Sequence, residues 1–105
     1  MAKKMVYTAR NIKADEALRI GLVNAVYPLA ELYAAAEKLA SQIAANAPIA
    51  VRAAKKAINE GLDLPMDEAV VVEEKAFGSC FETADQQEGM GAFLEKRKHE
   101  PFTNK

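Results

Sequence analysis

Five carboxylates are the first candidates for chemistry in this chain: Glu73, Glu74, Glu82, Asp85 and Glu88. General acid–base work needs two carboxyl groups facing one water-poor pocket that separates their pKa values. These five fall on helical surfaces, beside lysines or in a first turn, where helix-dipole and i,i+4 pairing already account for them. Glu73 is the exception. Its spacing from Val70 and Phe77 directs it toward the apolar side of its helix, where a carboxylate needs a cationic partner, and a structural ion pair is the expectation. His99 is the sole histidine and Cys80 the sole cysteine. Neither a nucleophile triad nor a metal ligand set can be assembled from them. Cys80 precedes Phe81 in an apolar helix and reads as a small core residue, with no neighbouring cation to lower its pKa. Arg52, Lys55 and Lys56 share a basic face, which is ordinarily a solvated face. No glycine-rich strand-to-helix turn is present to cradle a phosphate. By its own side chains the chain is not expected to catalyse a reaction.

The elements that position these residues are helices. The 105 residues are 50% hydrophobic, much of that alanine, with a net charge of −1. That balance argues for a folded domain and gives no reason to expect nucleic-acid or anionic-membrane binding. A single cysteine excludes an internal disulfide and suggests a reducing compartment. The basic start MAKKMVYTARN lacks the apolar core of a signal peptide, and no run of about 18 apolar residues exists. A cytoplasmic protein is expected. Residues 1–8 read as the last turns of a helix whose beginning is absent. ADEALRI follows as a short helix with Asp15 and Glu16 in its first turn, a poor cap at Lys13, and Gly21 as left-handed stop. LVNAVYP, closed by Pro28, reads as an extended segment.

From Leu29 onward the period is helical, with Leu32, Tyr33, Ala36, Leu39, Ala40 and Ile43 along one seam. Asn46 and Pro48 end that helix and start the next, whose apolar stripe is Val51, Ala54, Ile58 and Leu62. Pro65 opens another, with Met66, Val70, Phe77 and Phe81 on its apolar side. Thr83-Ala-Asp-Gln86 fits a capping box, and the helix it starts is expected to carry Met90, Phe93, Leu94 and Arg97, with Pro101 stopping any extension. The fold class is therefore all-α, a small domain of about four to five helices. Residues 1–28 hold the helix remnant, short helix and linker, and 29–105 the helical region.

Three stretches taken together, NIKADEALRIGLVNAVYP (11–28), NAPIAVRAAKKAIN (46–59) and ETADQQEGMGAFLEKRK (82–98), resemble the carboxy-terminal part of the crotonase (enoyl-CoA hydratase/isomerase) family, nearest to its short-chain hydratase branch. The resemblance covers essentially the whole chain. It implies a fragment of a longer protein whose spiral β/α core, with the oxyanion hole and two catalytic glutamates, lies outside these residues. It also implies reversible hydration of a trans-2-enoyl-CoA without a metal or redox cofactor, coenzyme A being part of the substrate. Helices of this part build homotrimers or hexamers in the family and complete a neighbour's acyl-CoA site. From the residues alone Phe93 is core packing and Lys96 a solvated charge. The resemblance implies instead that Phe93 lines the acyl pocket and Lys96 approaches the CoA phosphates. Two alternatives stand beside this reading. One is a stand-alone helical interaction module; the other keeps the fold with a different reaction, such as enoyl-CoA isomerisation.

Overall fold

Proline and glycine mark several of the helix boundaries in the computed structural model, which describes residues 1–105. Six helices and no strand are present: α1 (Ala2–Thr8), α2 (Ala14–Arg19), α3 (Leu29–Ala44), α4 (Pro48–Gly61), α5 (Met66–Cys80) and α6 (Ala84–Leu94). The all-α expectation holds: every helix falls on a stretch read as helical from sequence, and the total is six where about four to five were expected. No helix is long and apolar enough to cross a membrane. The chain forms two compact units, Met1–Glu37 and Lys38–Lys105, the division falling inside α3.

In the first unit, α2 begins at Lys13, whose side chain makes no cap hydrogen bond, as its chemistry requires. Arg10 donates from Nη2 to Glu16 Oε1 at 2.6 Å, and Ala17 is buried. The helix ends in a Schellman turn: the Leu22 N–H donates to the Ala17 carbonyl (2.9 Å) and the Gly21 N–H to the Leu18 carbonyl (3.1 Å). Gly21 takes φ +73°, the left-handed conformation that a Cβ disfavours. Residues 22–28 then run without regular structure into α3.

In the second unit, α4 and α5 form a helical hairpin across the short link 62–65. Pro48 occupies the first turn of α4, where its missing N–H costs nothing, and Pro65 stands at the N-cap of α5. Small residues let the two helices approach closely: a Cβ built on Gly61 would lie 3.5 Å from the Ala69 Cβ. Phe77 and Phe81 meet edge to face, 5.1 Å between ring centroids. At α6, Thr83 Oγ1 accepts the Gln86 N–H at 3.1 Å, half of the expected capping box. The other half is replaced, because the Thr83 N–H donates to the Cys80 carbonyl at 3.1 Å rather than to the Gln86 side chain.

The core of the described chain is small. Only Ala17, Ala92 and Asp85 are buried, and no large side chain is fully enclosed. Many apolar residues face outward, among them Ile58, Leu62, Met66, Phe77, Phe93 and Leu94. Cys80, read from sequence as a core residue, is half-buried.

Candidate functional site

The carboxy-terminal end of α6 and the segment that follows it hold the residues of interest. The helix ends at Leu94, three residues before the point expected, and does so by the same turn that closes α2. The Arg97 N–H donates to the Ala92 carbonyl (3.0 Å) and the Lys96 N–H to the Phe93 carbonyl (3.3 Å). Lys96 therefore occupies the place Gly21 takes in α2, with φ +55°. Phe93 and Lys96 do not share a helix face, as their three-residue spacing suggested, since the helix has already stopped. The structure joins them through that backbone hydrogen bond instead. Both are exposed, Phe93 with 78% of its surface open. A largely exposed ring and an ammonium held on a left-handed residue are together available to something outside the chain.

Beyond Lys96 the chain folds back along α6. Arg97 forks onto the Glu88 carboxylate, Nη1 to Oε1 at 2.5 Å and Nη2 to Oε2 at 3.1 Å, while its Nε donates to Glu95 Oε2 at 2.6 Å. Glu88 also accepts the Glu100 N–H at 2.8 Å. The Arg97 hydrogen bonds first, and the Glu100 N–H second, lower the Glu88 carboxyl from 4.5 to about 2. The same carboxylates raise the Arg97 guanidinium further above its ordinary value. Phe102 lies over Gly89, where an added Cβ would come 3.6 Å from its ring, and stacks on His99 with centroids 4.3 Å apart.

Asp85 closes the fold-back. Sequence placed it in a solvated first turn; the structure buries it, at 3% exposure. Its Oδ1 accepts the Thr103 N–H (2.6 Å) and the Thr103 hydroxyl (3.2 Å), and its Oδ2 accepts the Asn104 N–H (2.9 Å). These bonds replace the water that burial removes. Arg52 stays on its exposed basic face, as expected, and from there donates from Nη2 to Asn104 Oδ1 at 2.7 Å. Sequence reasoning missed this arrangement. The available signal was the D-x-x-E spacing of Asp85 and Glu88, which puts both on one face of α6.

The other candidates separate from this site. Glu73 lies on the wall of a groove of about 610 Å³ between α4 and α5, otherwise lined by small and apolar side chains such as Ala54, Ile58, Val70 and Phe77. It is the only charged residue there, on the apolar side as its spacing indicated, but the expected structural ion pair does not form: Glu73 stays exposed to solvent and so needs no cationic partner. No group of three His, Cys, Asp or Glu residues is placed to hold a metal ion.

The chain matches the family model described as enoyl-CoA hydratase/isomerase over residues 1–105. It is 53% identical over 105 residues to the short-chain-enoyl-CoA hydratase of Clostridium acetobutylicum, covering 100% of this chain and 40% of that one. Its identity to the crotonyl-CoA hydratase of Syntrophomonas wolfei is 53% over 98 residues, covering 93% of this chain and 38% of that one. A crystal structure of enoyl-CoA hydratase from Bacillus anthracis superimposes with a TM-score of 0.91 at 39% identity, covering 99% of this chain and 40% of that one. The chain thus spans about two fifths of the length of these relatives. Agreement in sequence along the whole chain and in the placement of its helices is decisive: the chain belongs to the enoyl-CoA hydratase/isomerase family.

Proposed function

We propose that these residues are the carboxy-terminal helical part of an enoyl-CoA hydratase that reversibly adds water to a trans-2-enoyl-CoA, giving the 3-hydroxyacyl-CoA. The observation that carries this reading is the 53% identity, along all 105 residues, to a short-chain-enoyl-CoA hydratase. The proposed reaction is a redox-neutral addition of water that uses no metal or redox cofactor, and coenzyme A enters it as part of the substrate. Carbonyl polarisation by preorganised donors supplies much of the rate in such chemistry, and the family resemblance implies that those donors lie outside these 105 residues. The 105 residues contribute in two ways. Their outward apolar faces associate subunits into a homo-oligomer, a trimer or hexamer, because large apolar surface is rarely left bare. Phe93 and Lys96 then complete the acyl-CoA site of a neighbouring subunit, the ring against the acyl group and the ammonium toward the CoA phosphates.

The lysine at φ +55° supports its assignment. Glycine is the usual occupant of this position, and a side chain kept in a disfavoured conformation points to use of that side chain. The test is kinetic. In the complete enzyme, Lys96→Glu is expected to raise KM for crotonyl-CoA with a smaller change in kcat, the pattern of a contact remote from the reacting double bond. The effect should shrink as salt rises. An unchanged KM at low salt would remove Lys96 from the site.

A further inference from the structure

We propose that Asp85 and Glu88 are positioning residues for the Lys96 ammonium, acting through the folded-back segment that follows it. This inference rests on the reading of Lys96 as a contact to the CoA phosphates. The two carboxylates stand one turn apart on α6 and take hold of the returning chain at successive points. Glu88 accepts the Glu100 N–H and the Arg97 guanidinium, and Asp85 accepts the N–H groups of Thr103 and Asn104. Arg97 is the next residue after Lys96, and its own N–H is the bond that closes the turn onto Ala92. Lys96 is therefore fixed from both sides: by the helix end before it and by the clasped segment after it.

A lysine at positive φ persists only where its surroundings over-determine the backbone. Here the Arg97–Glu88 fork, extended by Glu95, and the two tail attachments supply that constraint. Releasing them lets Lys96 relax to a right-handed or extended conformation, which swings its Cα–Cβ bond and moves the ammonium off its target. Neither carboxylate needs to touch substrate. Both sit on the side of α6 that faces the tail, and Asp85 is closed off from solvent altogether.

The test is a double-mutant cycle in the complete enzyme, using crotonyl-CoA and the shorter crotonyl-pantetheine thioester, which lacks the nucleotide phosphates. Glu88→Gln keeps the side-chain shape but removes the ion pair, and Asp85→Asn keeps the shape while turning one acceptor oxygen into a donor, which breaks one tail attachment. Each is expected to raise KM for crotonyl-CoA about threefold, against about fivefold for Lys96→Ala, the scale of an exposed charge contact. KM for the pantetheine thioester and kcat should stay within about twofold. The double variant Glu88→Gln, Lys96→Ala should match Lys96→Ala alone. Additive effects, or equal losses on both thioesters, would mean a general structural role and overturn the proposal. If Lys96→Ala raises KM while both carboxylate variants leave it unchanged, this inference alone fails. If Lys96→Ala itself leaves KM for crotonyl-CoA unchanged, the assignment of Lys96 fails and the inference goes with it.

Discussion

Arg97 and Glu88 face each other as a two-pronged ion pair, with both guanidinium Nη atoms within 3.1 Å of carboxylate oxygens across the reversal that ends α6. Fork-on-fork geometry of this kind fixes orientation as well as distance. It sets the protonation behaviour of Glu88 and Arg97 themselves.

Glu88 is held at about 2, below its ordinary 4.5, so the folded state binds its proton more weakly than the unfolded chain does. Its stabilising contribution is therefore fully present above pH 4.5 and is lost as pH falls from there through about 2. In a pH titration followed by NMR, the Glu100 amide and Arg97 Nη signals, whose groups donate to Glu88, should shift with a midpoint near 2. In Arg97→Ala that midpoint should return toward the usual carboxylate range. A wild-type midpoint near 4.5 would show that the pair does not form in solution.

Lys96→Gly should separate stability from binding. Glycine relieves left-handed backbone strain of roughly 1–2 kcal/mol. It also adds freedom to the unfolded chain, at a cost of about 0.4–1 kcal/mol. A net gain of about 0.5–1 kcal/mol in denaturant unfolding is expected, together with a raised KM for acyl-CoA in the complete enzyme. Destabilisation would show that the lysine stem packs against the chain.

Phe93→Ala should be nearly silent in the 105-residue chain, since the ring is 78% exposed and surface substitutions usually stay within about 0.5 kcal/mol. In the assembled enzyme the same change should lower kcat/KM, by less than the 3–5 kcal/mol typical of truncating a fully buried Phe. The loss should grow with acyl chain length. Unchanged kinetics for crotonyl-CoA and longer thioesters would return Phe93 to a role in packing.

The 105-residue chain alone should not hydrate crotonyl-CoA. Glu88, the most perturbed carboxyl, is locked in its ionised form and cannot serve as a general acid near neutral pH. Loss of enoyl thioester absorbance within tenfold of a complete hydratase would contradict this.

The same chain should self-associate through the α4–α5 groove. Sedimentation should show a concentration-dependent mass, and Val70→Glu on the groove wall should weaken association by at least about tenfold, or 1.4 kcal/mol. A strict monomer at high concentration without dye binding would count against it.

Much of the fold is legible in local patterns. Gly21 marks the end of α2, Pro48 and Pro65 mark the starts of α4 and α5, and Lys13 is an uncapped start, because each of these acts on its immediate neighbours. The end of α6 is not legible. Glu95 to Lys98 are good helix formers with no glycine among them, so propensity carries the helix on through Arg97. What stops it is the pull of Glu88 on Arg97 and Glu100, and of Asp85 on residues 18 and 19 positions away. The burial of Asp85 is invisible for the same reason: a first-turn aspartate has a sufficient local explanation, and its partners are distant in sequence. Phe93 and Lys96 could be named only through the family likeness, since spacing alone assigned them to core and solvent.

The near absence of enclosed large side chains has a calorimetric consequence. The heat-capacity increment of unfolding tracks apolar surface newly exposed to water, and one buried apolar residue in each unit, Ala17 in the first and Ala92 in the second, leaves little to expose. When these residues melt without partners, the transition should be broad and carry a small increment. When neighbouring surfaces cover the groove and the ring of Phe93, most of the increment should appear at dissociation, so that the thermal midpoint climbs with protein concentration.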